Sequence, residues 1–309
     1  MKFAIIGLGK MGSNIALQAL EKGLEVVGLD LEKKTFLEKK GVELIDDIKD
    51  LKNALEPPRI VFLWLPAGPK IDNTLDTLTD VLDAGDIVVD AGNSFFRDSQ
   101  VRHKRLQKHG IGFIDAGTSG GLEGARNGAN FMVGGDEEVV NKVEPIFEKL
   151  AVEGGYVHTG RTGSGHFVKL IHNAIEFGML QAIGEGVAML EKSDFNLDLK
   201  GIFNNWSNGS VIRSWLIELM AKGYTEDFDE ISSYVEDTGE VNWAIEEALK
   251  MELPIPVIAQ SVMELFKSRD NANVAAKAVA LMRHEFGGHP FGKAEGIANE
   301  RRTGRVGLH

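Results

Sequence analysis

"KFAIIGLGKMG", residues 2–12, sets the apolar run Phe3-Ala4-Ile5-Ile6 directly before Gly7-Leu8-Gly9-Lys10-Met11-Gly12. The run reads as a buried strand, and the G-x-G-x-x-G after it opens an amphipathic helix over 12–22. In that context the glycines have separate duties: a tight turn, close approach to a pyrophosphate, and close helix–strand packing. The free N–H groups at the helix start supply the anion site. Gly7, Leu8, Gly9, Lys10, Met11 and Gly12 are therefore candidate cofactor contacts. Any glycine-rich turn can match the pattern, so its weight comes from what surrounds it. The next apolar run, 25–29, ends at Asp30, placed to accept from a ribose 2′-hydroxyl and to repel a 2′-phosphate. NAD is the expected cofactor. Lys33 and Lys34 leave NADP open.

Working outward, short apolar runs at 59–65, 86–90, 111–115, 130–134 and 155–158 continue the strand series. Amphipathic stretches at 32–39, 46–55, 70–83, 98–109 and 137–150 alternate with them. Alternating βα units predict a mainly parallel, doubly wound sheet of the Rossmann type. From about Gly163 the character changes. Residues 165–192 form one long helical pattern, followed by 197–205, 208–222, 227–236, 240–251, 254–268 and 270–285. The expected organisation is a dinucleotide-binding domain over 1–162, then an all-α domain with a C-terminal tail over 163–309.

The 46 Asp+Glu against 34 Lys+Arg give a net charge of −12, which argues against nucleic acid or an anionic membrane as partner. With no cysteine in the 309 residues, disulfides, thiolate nucleophiles and Cys-based metal sites are excluded. The start runs straight into a strand, and no run of 18 apolar residues exists, so a cytoplasmic protein is expected. The histidines form no His-Glu-x-x-His or other ligand pattern, and no metal is expected.

Two strand ends carry polar turns, Asp90-Ala91-Gly92-Asn93-Ser94 and Asp115-Ala116-Gly117-Thr118-Ser119-Gly120-Gly121. In open α/β sheets ligands gather beyond the carboxyl ends of strands, so Asn93 and Ser119 read as substrate contacts or as turn and cap residues. In "KLIHNAIEF", residues 169–177, Lys169, His172, Asn173 and Glu176 share one stripe at about 100° per residue. The remaining girth is apolar, which predicts a helix buried on most sides. Mid-helix His and Asn are poor choices for a solvated face. A lysine in a dry cleft can act as a base, because burial brings its pKa to about 7–8. The stripe is expected to face a site, with Lys169 and Glu176 as base and acid.

At these residues the chain resembles the decarboxylating 6-phosphogluconate dehydrogenases. The likeness rests on Gly9-x-Met11-Gly12, on Thr118-Ser119-Gly120-Gly121, on Gly163-x-Gly165-His166-Phe167-Val168-Lys169-x-x-His172-Asn173-x-x-Glu176, and on Arg283-x-x-Phe286-Gly287-x-His289. It covers nearly the whole chain in order, and the length is that of a short form. It implies oxidative decarboxylation of 6-phosphogluconate to ribulose 5-phosphate and CO2 in the pentose phosphate pathway or gluconate metabolism. Lys169 would be the base and Glu176 the proton donor. Asn93, Ser119, Gly120, Gly121, His172 and Asn173 would orient the sugar acid, with Asn93 also beside the cofactor. It further implies a homo-oligomer, dimer or tetramer, in which Arg283 and His289 reach a neighbouring subunit's site and bind the phosphate end.

Two departures concern that phosphate. Longer members follow the catalytic glutamate with a tyrosine, where Phe177 stands here, and place a lysine where Glu236 stands, before Thr238-Gly239. Arg269 is the candidate replacement. The alternatives are an NAD-dependent dehydrogenase of another, non-phosphorylated β-hydroxyacid, and a dinucleotide-sensing assembly protein. The Lys169/Glu176 pair speaks against the latter.

Overall fold

The structure is a computed structural model and describes residues 1–224, 228, 230–236, 239–287 and 291–292. Its strands are β1 Lys2–Ile6, β2 Glu25–Leu29, β3 Glu43–Leu44, β4 Ile60–Leu63, β5 Ile87–Asp90, β6 Gly112–Ser119, β7 Ala129–Gly134 and β8 Ala151–Gly160. Among them run helices α1 Lys10–Glu21, α2 Thr35–Glu38, α3 Leu51–Ala54, α4 Pro69–Val81, α5 Phe96–Gln107, α6 Gly121–Asn127 and α7 Glu137–Leu150. The helical half comprises α8 Ser164–Glu191, α9 Leu199–Ser207, α10 Trp215–Gly223, α11 Glu240–Lys250, α12 Pro256–Arg269 and α13 Val274–Gly287.

One sheet holds all eight strands in the order β3-β2-β1-β4-β5-β6-β7-β8. Pairing is parallel except between β6 and β7. The chain runs outward from β1 to β3, then returns to β4 on the other side of β1, so the order reverses between β1 and β4. That crevice is where an open α/β sheet binds ligands. Strand alternation explains the double winding. Phe3 and Ile5 of β1 join Phe62, Phe131 and Phe147 on one face, under α1 and α7. Ala4 and Ile6 join Leu63, Leu75 and Leu78 on the other, under α4. The Rossmann-type sheet followed by helices is as expected from the sequence.

Several local expectations are corrected. The strand at 111–115 continues to Ser119, because residues 115–119 pair in register with 130–134 of antiparallel β7. The polar run Asp115–Ser119 is thus largely strand, not turn. Residues 121–127 form α6, which the glycines of Gly120-Gly121 and Gly124 obscured. The helix expected at 208–222 begins only at Trp215, where the Ser214 hydroxyl accepts from the Ile217 N–H. Among the described residues of 227–236 no α-helix forms.

The long helix α8 was expected to be buried on most sides. One face is: Gly165, His166, Lys169, Leu170 and Ala174 are buried. The other is not, with Val168, Ile171, Ile175 and Met179 between 37% and 52% exposed. An apolar stripe of this kind reads as buried from sequence because periodicity reports hydrophobicity and not the neighbour that covers it.

Two side chains fasten α11 to the start of α5. Asn93 Nδ2 donates to Glu240 Oε1. Arg97 donates bidentately to the buried Glu247 carboxylate, with Nε to Oε1 at 2.9 Å. Lys250 Nζ adds a third donor at 2.8 Å. Chiefly through Arg97, the Glu247 carboxyl is held down from 4.5 to about 2, against the opposing effect of burial. A depressed folded-state pKa contributes stability above the unfolded value, and that contribution is lost as pH falls through the folded one. Glu247→Gln is therefore expected to lower Tm by several degrees at pH 7. The gap from the parent should close as pH drops from about 4.5 towards 2. Thermal melts across that range check this, and a gap independent of pH would overturn it.

Candidate active site

The β1–α1 turn has the geometry its glycines predict. Gly7 sits at φ +96, a conformation that favours glycine. A Cβ on Gly12 would collide with the Gly7 carbonyl oxygen, so helix and turn can pack this closely only without one. Gly9 has open space where a Cβ would go, leaving its backbone accessible along a cavity of about 650 Å³. Gly9, Lys10, Met11, Gly12, Trp64 and Asn93 line it. Beyond the β2 end, Asp30 borders a second pocket of about 140 Å³. Its Oδ2 accepts from the Leu8 N–H at 2.6 Å. Leu8 itself is buried in the core, so it supports the turn and shapes Asp30 more than it offers a free donor. Together the cradle, the open glycine and the carboxylate at the ribose position fit a dinucleotide. Among the described residues, no group of three or more acidic or histidine side chains is placed to hold a metal ion.

A larger cleft of about 1060 Å³ opens beside the cofactor cavity. Met11, Asn93, Thr118 and Glu240 line both. The stripe of α8 faces into it: Lys169, His172, Asn173 and Glu176 all line the cleft, together with Ser119, Gly120, Gly121 and Phe177. The turn Gly120-Gly121 has positive φ at both residues. It brings backbone to the cleft wall with no side chain between.

The polar contacts form one chain. Lys169 Nζ lies 3.3 Å from His172 Nδ1, and His172 Nε2 lies 3.0 Å from Ser119 Oγ. Asn173 Oδ1 is 3.2 Å from Nδ1, and Glu176 Oε2 is 3.7 Å from it. An ammonium at Lys169 donates to Nδ1 and sets the ring proton on Nε2, facing Ser119. A neutral amine lets Nδ1 carry the proton and donate to Asn173, with Ser119 donating to Nε2. The histidine thus accommodates both states of the lysine. Burial lowers the Lys169 pKa, opposed by the charges of Glu176 and Glu240. Burial, and then the charge of Lys169, lowers that of His172.

The remaining predicted positions lie elsewhere. Arg269, at the end of α12, stands over the Phe266 ring at 5.4 Å and does not line the cleft. Arg283 is exposed on α13, also outside the cleft. His289 lies outside the described residues. Glu236 is exposed and away from the cleft, whereas Phe177 is in its wall. Sequence reasoning missed Glu240, which bridges cavity and cleft. Its visible signal was an acidic residue opening a helix after Gly239, which reads as ordinary dipole complementarity. It also missed Thr118, Ser214 and Trp215 as wall residues.

Comparison with known proteins shows the family. Residues 2–160 match the NAD binding domain of 6-phosphogluconate dehydrogenase, and residues 165–300 match the C-terminal domain of the same enzyme. The chain belongs to the 6-phosphogluconate dehydrogenase family. It is 44% identical to YqeC of Bacillus subtilis, over 94% of this chain and 98% of that one. It is 37% identical to an NAD(+)-dependent, decarboxylating 6-phosphogluconate dehydrogenase of Haloferax volcanii, over 96% of this chain and all of that one. The solved 6-phosphogluconate dehydrogenase of Plasmodium falciparum superposes with a TM-score of 0.82 at 27% identity. That match covers 96% of this chain and 67% of the Plasmodium one, which has NADP+ as its cofactor and 6-phosphogluconate as its substrate. The resemblance read from the sequence is borne out, and the chain carries the family's NAD(P)-binding domain.

Placement of the lysine depends on an absence of side chain across from it. A Cβ on Gly117 of β6 would collide with the Cβ of Lys169. Gly117→Ala is expected to push Lys169 off its position and cut turnover by about a hundredfold, since misplacement of about 1 Å can cost that much. Kinetics beside a thermal melt test this: a folded variant with normal turnover would refute the placement.

Proposed function

We propose that the protein catalyses NAD-linked oxidative decarboxylation of 6-phosphogluconate to ribulose 5-phosphate and CO2. The observation that carries the reading is the half-dry cleft in which Lys169, with its pKa lowered, and Glu176 stand on one stripe beside the dinucleotide cavity. Gly9, Lys10, Met11 and Gly12 would hold the cofactor's pyrophosphate, and Asp30 its ribose. Bound NAD supplies the acceptor for the C3 hydride.

Neutral Lys169 takes the C3 hydroxyl proton as C3 becomes a ketone. The resulting β-keto acid loses its carboxyl group as CO2, and the electron pair of the broken bond passes through C2 to the ketone oxygen. Lys169, now an ammonium, returns its proton towards that oxygen. Glu176 then protonates the enediol carbon that bore the carboxyl group while neutral Lys169 takes back the enediol hydroxyl proton, and ribulose 5-phosphate results. Ser119, His172, Asn173 and Asn93 orient the sugar acid, with the Gly120-Gly121 backbone at its edge.

Asp30 favours NAD over NADP. A carboxylate facing a 2′-phosphate in a partly dry pocket costs on the order of a few kcal/mol. The NAD(+)-dependent Haloferax relative supports that preference.

Lys169→Met is expected to abolish turnover of NAD and 6-phosphogluconate, followed as reduced cofactor and released CO2, while cofactor binding persists. Glu176→Gln is expected to cripple the protonation step. More than a few per cent of parental rate in the lysine variant would reject it as the base.

The phosphate end is proposed to be bound across subunits. From 271 to 285 every residue of and before α13 is exposed, and its apolar Val279, Leu281 and Met282 lie open. Apolar side chains open on this helix support the reading that a neighbour packs on it. Arg283 and His289 would then enter a partner's cleft, where a guanidinium fork suits phosphate. Mixed dimers of a Lys169→Met chain with an Arg283→Ala/His289→Ala chain, isolated by two affinity tags, decide the matter. Shared sites leave one complete site per mixed dimer and restore about half of parental activity. Sites served by their own chain leave the mixed dimers inactive.

A further inference from the structure

The pocket at the β2 end has charges that the dinucleotide motif does not account for. Asp30, Glu32 and Asp46 line it with Lys33 and Lys34, so carboxylates outnumber ammonium groups. Lys34 is the better-placed cation, with a side chain only 20% exposed. It is also engaged: Nζ donates to Glu32 Oε2 at 2.8 Å and lies 3.8 Å from Asp30 Oδ1. The turn that carries Glu32 is set by Asp30, whose Oδ1 accepts from the Glu32 N–H at 3.0 Å. The Glu32 side chain is 83% exposed. Its contact with Lys34 is what it contributes to this pocket.

We propose that Glu32 is a specificity-determining residue, which occupies Lys34 and so withholds a ready receptor for a ribose 2′-phosphate. The proposal rests on the reading that Asp30 receives the ribose and that NAD is preferred. Asp30 repels the phosphate directly. Glu32 removes the cation that would offset that repulsion, because a 2′-phosphate entering here must first break the Lys34–Glu32 pair and then lie against two carboxylates. Freed of Glu32, the same ammonium stands within reach of Asp30 and hence of the 2′ position. An exposed carboxylate acts largely through solvent, so the effect is a matter of several-fold.

The test uses fragments that read this pocket alone. Adenosine 2′,5′-bisphosphate and adenosine 5′-monophosphate are titrated calorimetrically into the full-length protein, and the ratio of their Kd values is compared among variants. Glu32→Gln is expected to shift that ratio about fivefold in favour of the bisphosphate, and Glu32→Gln/Lys34→Met to return it to the parental value. An unchanged ratio in Glu32→Gln overturns the proposal. So does a gain that survives loss of Lys34, since Glu32 would then act by repulsion alone. Asp30→Asn forms the separate arm: no shift there, with the Glu32 and Lys34 results as expected, rejects the Asp30 reading and leaves the assignment of Glu32 standing.

Discussion

A fully buried carboxylate, Asp115, carries the join between the sheet and the helical half. It stands midway along β6, and its two oxygens accept from the Gly163 and His166 N–H groups at 2.6 and 2.8 Å. Those N–H groups open α8, which has no side-chain cap of its own. The helix start is thus capped from about fifty residues away, and its partial positive charge meets an anion. Burial pushes the Asp115 carboxyl up, while His166 and the two backbone donors pull it down. The cap works only because the backbones touch. A Cβ on Gly165 would collide with the Asp115 carbonyl oxygen, and one on Gly134 would meet the Gly165 nitrogen.

Everything in the cleft follows from that contact. With Gly163 and His166 fixed on β6, Lys169 lies one turn further along the same buried face, against Gly117, and His172 and Glu176 continue the stripe outward over the cleft. The ring of His166 adds a second tether, Nδ1 lying 2.8 Å from Ser99 Oγ of α5. From the other side, α11 is held by Asn93 and Arg97. Helices α8, α10 and α11 and two strand ends therefore define one volume, and Lys169 within it is buried because the helix that bears it is pressed into the sheet. The lowered pKa of Lys169 comes from the packing that also places it.

Much of this was legible in the sequence because local patterns encode it. The glycine turn, Asp30 and the spacing of the α8 stripe each state their geometry within a few residues. The missing parts depend on partners distant in sequence. The extension of β6 to Ser119 needed β7, which pairs with it antiparallel, and nothing local in Asp115-Ala116-Gly117-Thr118-Ser119 distinguishes that from a turn. Asp115 read as a strand-end residue because its N–H donors lie in another domain. Glu240 and Asn93 meet across 147 residues. The exposed face of α8 misled in a different way: its hydrophobicity was read correctly, but periodicity does not say whether a neighbour covers it.

Among the described residues lining the cleft, Lys169 is the one Lys or Arg side chain, facing the carboxylates Glu176 and Glu240. A phosphorylated sugar acid brings anionic groups at both ends, and this chain's described cleft offers little to neutralise the far one. Additional fixed cations beside Lys169 would serve binding at the expense of catalysis, because each would depress the lysine further and resist the ammonium it must become when it takes the C3 hydroxyl proton. The proposed arrangement separates the two demands. Carboxylates next to Lys169 keep its protonated form within reach, and the phosphate's cations would arrive at the opposite end of the cleft on a partner's tail. Distance then weakens their effect on the base more than on the phosphate they touch. A site divided between subunits would, on this argument, let a lysine act as a base in a cleft that takes a polyanion.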